Sequence, residues 1–164
     1  MNLTAIPNGE RVLIDANVLI YARRGTSAQC QGLLSRCVKR EVVGVVTSIA
    51  IAEFCHRRMM QEAQSRGLSA SNPAKALGQN PSLIRQLSQY AQDVEDLLAG
   101  DFAILDIAPA DFATALQVQR QYGLLTNDSL NLAVMQRASI TAFATADAQF
   151  DAVSGISVYK PDDL

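Results

Sequence analysis

The sequence predicts an α/β protein with a mostly parallel central sheet of four to five strands and helices on both faces. Three observations predict it. Short apolar runs recur along the chain and alternate with stretches of helical periodicity, the pattern of a parallel sheet covered on both sides. Two of these runs, Val12-Leu13-Ile14 and Ile140-Thr141-Ala142-Phe143-Ala144, lead into an acid, Asp15 and Asp147. Open α/β sheets build their ligand sites at the C-terminal ends of such strands. The 164 residues suit one domain with a sizeable core, and 49% hydrophobic against 18% charged residues excludes a disordered chain.

Arg11 to Ile14 reads as the first buried strand, and Asn17 to Ala22 as a short helix after it. Ser27 to Arg40 is amphipathic, with Cys30, Leu33, Leu34, Cys37 and Val38 at helical spacing. Val42 to Val46 is a β-branched second strand. Thr47 and Ser48 are good caps for a helix running to about Ala63. The polar stretch Ser65 to Pro81 reads as a loop or excursion, because Gly67, Ser69, Ser71, Asn72, Pro73, Gly78, Asn80 and Pro81 punctuate it. Ser82 then opens one long helix to about Leu98. Phe102 to Leu105 is a third strand, and Ala110 to Tyr122 a helix stopped by Gly123. Thr126 or Asn127 caps a helix that carries Asp128. Ile140 to Ala144 and Ile156 to Val158 complete the sheet. The excursion and extra helix around 65–100 read as an insertion within a single domain, 1–164.

Composition narrows the function. A net charge of −2 argues against coating nucleic acid by bulk charge, though not against a local basic patch. No apolar run approaches the roughly 20 residues that span a bilayer, and the first residues lack a secretory core, so a cytoplasmic protein without membrane contact is expected. The three cysteines form no zinc or disulfide pattern, and Cys30 and Cys37 read as core fillers. With His56 the single histidine, any metal must be held by oxygen.

Four acids occupy positions that can converge. Asp15 and Asp147 follow strands. Glu53 lies about a turn and a half into the helix after strand two. Asp128 sits in a first helical turn, where the macrodipole alone could also explain it. Asp151, one turn after Asp147, competes as a further acid. Such a cluster repels itself unless protons or metal ions hold it together.

These segments carry a resemblance. Val12-Leu13-Ile14-Asp15-Ala16-Asn17, Thr47-Ser48 with Glu53, Leu124 to Ala133 around Asp128, and Thr145-Ala146-Asp147-Ala148-Gln149-Phe150 resemble, in order, the four motifs of PIN-domain ribonucleases. Gly155 to Tyr159 is similar to their closing strand. The VapC-like toxins of toxin–antitoxin pairs are the bacterial branch concerned. The resemblance implies a three-layer PIN-like fold and a metal-dependent endoribonuclease. Asp15, Glu53, Asp128 and Asp147 would be catalytic and would hold one or two Mg²⁺ or Mn²⁺ ions. Asn17, Thr145 and Asp151 would support them. RNA contacts would come from basic residues such as Arg23, Arg24 and Arg57. A small antitoxin protein is the implied partner. A homodimer is expected separately, from an apolar stripe of Leu83, Leu87, Tyr90, Val94 and Leu97.

Two rival readings compete with this one. One is a receiver-like phosphoacceptor signalling domain, because Ile104-Leu105-Asp106 and Lys160-Pro161 resemble its phosphoacceptor strand and late Lys-Pro. It leaves Glu53 and Asp128 without a role. The other is a catalytically inactive PIN scaffold that binds RNA or protein, which the presence of all four acids disfavours.

Overall fold

The structure is a computed structural model that describes residues 1–68 and 72–164. In chain order the elements are β1 (Arg11–Ile14), α1 (Ala16–Arg24), α2 (Ala28–Val38), β2 (Val43–Thr47), α3 (Ser48–Ser65), α4 (Pro73–Gln79), α5 (Pro81–Ile84), α6 (Gln89–Leu98), β3 (Ala103–Leu105), α7 (Pro109–Tyr122), α8 (Thr126–Arg137), β4 (Ala142–Ala144) and β5 (Ser157–Tyr159). The strands form one sheet in the order β3-β2-β1-β4-β5, and every neighbouring pair is parallel. The predicted α/β class is therefore observed.

Strand order decides where the site can be. From β1 the chain builds outward through β2 to β3, then returns to the other side of β1 for β4 and β5. The direction of winding reverses between β1 and β4. Helices on either side diverge there, leaving a crevice beyond the carboxyl ends of these two strands. Asp15 follows β1, and Thr145-Ala146-Asp147 follows β4.

The central strands β1, β2 and β4 are buried on both faces, while the edge strand β3 is largely exposed. Val12 and Ile14 pack with Val18, Leu33, Val46 and Phe54 on one face. Leu13 points the other way, into a cluster with Val45, Leu132, Met135, Phe143 and Phe150. Phe143 and Phe150 meet edge to face at 4.7 Å between ring centroids. Cys30 and Cys37 are buried in the first cluster, as their spacing predicts.

The region around 65–100 departs from expectation. The 65–81 stretch is not all loop: α4 starts at Pro73, and the Asn72 side chain accepts from Lys75 N at 3.0 Å. Pro73 and Pro81 stand at the first turns of their helices, where a missing N–H costs nothing. Ser69 and Ser71 lie outside the described residues. The long helix expected from Ser82 is two pieces, α5 and α6, with 85–88 between them. The break has a cause in α3. The buried Glu62 carboxylate accepts from Ser88 N (3.1 Å) and Tyr90 N (2.9 Å), capping a new helix start.

The expected apolar stripe is consequently divided and used within the chain. Leu83, Leu87 and Tyr90 join Met59, Met60, Ala63 and Leu77 in a small cluster, while Val94 and Leu97 pack on the main core. Leu87 and Leu97 are buried by this packing, and Leu83, Tyr90 and Val94 are half-buried. Asp93 fastens α6 further: buried itself, it accepts from Arg23 Nε at 2.5 Å and Arg58 Nε at 2.6 Å.

Candidate active site

Asp15, Asn17, Glu53, Asp128 and Asp147 line one open cleft of about 460 Å³, together with Arg57, Leu125, Thr126 and Asn127. Four separate segments deliver the acids. The sequence-predicted set is thus brought together by the crevice between β1 and β4, the second turn of α3 and the first turn of α8.

Asp15 is the buried member, 6% exposed. Its backbone is extended and its side chain does not cap α1, so the carboxylate is left for other partners. Oδ2 accepts from Asn17 Nδ2 at 2.6 Å and from Thr145 Oγ1 at 2.7 Å. Thr145 is fully buried, and its hydroxyl oxygen in turn accepts from Asp147 N at 3.1 Å. Asn17 Oδ1 accepts from Ala146 N at 3.1 Å. Asn17 and Thr145 therefore lock the ends of β1 and β4 together around one carboxylate. Asp147 accepts from Gln149 N at 2.8 Å, which starts the 3-10 turn Ala148–Ala152.

Glu53 comes from α3, whose start is fixed by Thr47: its Oγ accepts from Ala50 N at 3.1 Å and donates to Asn131 Oδ1 at 2.7 Å. That buried bond ties the start of α3 to α8, the helix that carries Asp128. Glu53 Oε1 accepts from Arg57 Nη1 and Oε2 from Asn127 Nδ2, each at 3.3 Å. Asp128 stands in the first turn of α8. The cap of α8 is Leu125, not Thr126 or Asn127. Thr126 instead accepts from Gln119 Nε2 at 3.2 Å, and Asn127 turns to Glu53.

The electrostatics follow from this crowding. Burial pushes Asp15 up to about 6, with a further push from Glu53 and Asp147, against the lowering bond from Thr145. Burial also raises Asp128 to about 6, helped by the charges of Asp15, Asp147 and Glu53. Among the described residues, no three Asp, Glu, His or Cys side chains are drawn into a closed ligand cage. An open, oxygen-only, mutually repelling set nonetheless fits a hard cation. Mg²⁺ takes one or two carboxylates and completes its shell with water and substrate phosphate.

Other expected residues sit elsewhere. Asp151 is exposed and accepts from Lys160 Nζ at 2.5 Å, outside the cleft. Arg23 is held by Asp93 and Asp96, and Arg23 and Arg24 line a different cavity beside Arg58 and Glu62. Only Arg57 of the three arginines lines the acidic cleft. His56 is exposed and does not line it. Asp106 follows β3, an edge strand, whereas the receiver arrangement needs its third strand at the centre. Sequence reasoning missed Asn127 and Asn131. Nothing local in Asn127-Asp128-Ser129-Leu130-Asn131 marks them, because their partners Glu53 and Thr47 are distant in the sequence.

Fold and site together define an open parallel α/β protein with a carboxylate cleft at its switch point. Residues 12–156 match the PIN domain family, and the chain belongs to that family. No curated protein matches the sequence significantly. Among solved structures, the chain is similar to a toxin–antitoxin complex from Klebsiella pneumoniae (18% identity, TM-score 0.58, 89% of this chain and 95% of that one). It is also similar to VapBC2 from Rickettsia felis bound to a promoter DNA fragment (15% identity, TM-score 0.59, 93% and 99%). A third is VapC20 of Mycobacterium tuberculosis, a toxin that cleaves the sarcin–ricin loop (12% identity, TM-score 0.58, 90% and 98%). At these identities the likeness is one of fold.

Proposed function

We propose that this protein is a metal-dependent endoribonuclease that hydrolyses RNA phosphodiester bonds, and that it acts as the toxin of a toxin–antitoxin pair. The observation that carries the nuclease reading is the convergence of Asp15, Glu53, Asp128 and Asp147 on one cleft. Membership of the PIN family and the fold shared with VapC-type toxins support the toxin role.

Asp15, Glu53, Asp128 and Asp147 would hold Mg²⁺ or Mn²⁺. A bound ion would lower the pKa of water to a usable nucleophile and offset charge on the phosphate. Asn17 and Thr145 hold Asp15 Oδ2 and so fix the orientation of a carboxylate that lines the cleft. The Thr47–Asn131 bond sets Glu53 and Asp128 in register across the cleft. Residues 1–164 act as one PIN-like domain, with 65–100 as an elaboration beside α3.

RNA is the substrate, a small antitoxin and a second copy are the partners, and the cytoplasm is the place of action. No described helix is long and apolar enough to cross a membrane. Purified protein freed of partners and incubated with a mixed single-stranded RNA panel and Mn²⁺ should cut RNA, and Asp15→Asn should not. Equal absence of cutting by both proteins sinks the nuclease reading and favours an inactive scaffold.

A further inference from the structure

The arginines of α1 and α3 differ in how firmly they are held. Arg23 and Arg58 make short bonds of 2.5 and 2.6 Å to the buried Asp93. Arg57 makes one bond, 3.3 Å long, to Glu53, and its side chain is 51% exposed. Exposed pairs four residues apart on a helix contribute little to stability. Among the described residues Arg57 is also the only cation lining the acidic cleft. Its guanidinium has five N–H donors, of which one is used.

Glu53 is held as loosely. Its oxygens are shared between Arg57 and Asn127, both at 3.3 Å, longer than the usual 2.9–3.0 Å of N–H···O bonds. A hard divalent cation competes well for a carboxylate held this way.

We propose that Arg57 is the residue that binds substrate phosphate at this cleft, and that it is released for this task when Glu53 turns to a divalent cation. The inference rests on the nuclease reading above and adds an exchange of partners to it. At rest, Glu53 neutralises Arg57. With cation and RNA present, the carboxylate pairs with the cation and the guanidinium fork pairs with the phosphate. An Arg fork suits this because it grips phosphate oxygens through two parallel bonds. Cation and RNA then assist each other's binding, by the same factor in both directions.

The probe is a fluorescently labelled, nuclease-resistant 2′-O-methyl phosphorothioate oligonucleotide, titrated by anisotropy in EDTA and in Mn²⁺ at several salt concentrations. Mn²⁺ binding without oligonucleotide is measured by calorimetry. Wild type should bind the oligonucleotide more tightly in Mn²⁺ than in EDTA. Arg57→Gln should bind it about tenfold more weakly in Mn²⁺. Its salt slope should shrink by about 0.7, the contribution of one phosphate contact on a single strand. Its Mn²⁺ affinity should equal or exceed that of wild type, because a competitor for Glu53 is gone. Arg57→Lys should keep the salt slope and recover part of the affinity. If Arg57→Gln matches wild type in oligonucleotide affinity and slope, or loses Mn²⁺ affinity, the exchange is wrong while the nuclease reading stands. If wild type binds neither Mn²⁺ nor oligonucleotide, both fall.

Discussion

Thr145 donates its hydroxyl proton to Asp15 Oδ2 at 2.7 Å, joining the residues that follow β4 and β1 across the point where the sheet reverses its winding. Residues 130 positions apart in sequence are thereby fixed within one hydrogen bond of each other. The same oxygen of Thr145 accepts from Asp147 N, so one hydroxyl orients two of the four acids.

Thr145→Val tests that role. Valine keeps the shape but leaves a buried carboxylate and a backbone N–H each short of one partner. The expected cost is about 1–3 kcal/mol of unfolding free energy, measured by urea titration. RNA cleavage should fall with it, and Thr145→Ser should restore both in part. Full cleavage by Thr145→Val would show that Asn17 alone suffices to orient Asp15.

The clamp on α6 should matter to stability independently of the cleft. Asp93 is buried and bound by two arginines from α1 and α3. Asp93→Ala leaves those guanidinium groups without their shared carboxylate, and should destabilise by about 3–5 kcal/mol. Arg23→Ala, at a side chain 43% exposed, should cost under about 1 kcal/mol. Thermal melts of the two variants decide it. Equal small losses would mean that Arg58 and Asp93 are dispensable for seating α6.

How much of this was legible depends on how local each signal is. Asp15 and Asp147 could be read because a strand's apolar run and the acid after it are adjacent in sequence. Thr47 could be read as a cap for the same reason. The division of the Ser82–Leu98 stretch could not, because its cause is Glu62, 26 residues from Ser88 in the chain. Asp151 lies in the 3-10 turn that follows Asp147, exposed and paired with Lys160, and does not line the cleft. Pro73 and Pro81 misled in a different way. Proline marks a helix start as readily as a loop, and only the Asn72 side chain on Lys75 N settles which. Asn127 and Asn131 needed the third dimension, since their partners Glu53 and Thr47 lie 74 and 84 residues away.

The 83–97 stripe packs largely within the fold, and a more exposed apolar pair is the contact the homodimer proposal is tested on. Phe112 and Leu116 are 52% and 54% exposed and lie one turn apart on α7. Light scattering at micromolar concentration should give a dimer for wild type, and Phe112→Glu with Leu116→Glu should give a folded monomer whose melting temperature, unlike that of wild type, does not depend on protein concentration. A wild-type monomer, or a double variant that stays dimeric, removes α7 as the contact.

Protons and metal ions should compete to stabilise the same cleft. Asp15 and Asp128 both stand near 6 in the folded protein, above the ordinary 3.8. The folded state therefore holds more protons than the unfolded chain between those values. Their contribution is fully present below about 3.8 and is lost as pH rises through about 6. For Asp15, the rise from 3.8 to about 6 corresponds to roughly 3 kcal/mol, shared with its neighbours because coupled carboxylates titrate as a group. Asp111 acts in the opposite sense. The hydrogen bond from Arg137 holds its carboxyl below the usual range, so its contribution is lost as pH falls through that lowered value. In EDTA, stability should consequently peak in mildly acid solution and decline toward pH 8. Asp15→Asn keeps an acceptor for Thr145 and Asn17 while removing the charge, so at pH 8 in EDTA it should be about 1–3 kcal/mol more stable than wild type. Mn²⁺ should reverse the ranking. An ion that binds only the folded wild type adds RT ln(1 + [L]/Kd), about 2.7 kcal/mol at a hundredfold excess over Kd. Melting curves of wild type, Asp15→Asn and Asp128→Asn across pH 4–8, with EDTA and with Mn²⁺, check each sign. Asn variants less stable than wild type in EDTA at pH 8, with equal Mn²⁺ shifts for all three, would show that the four acids do not act as one cation site.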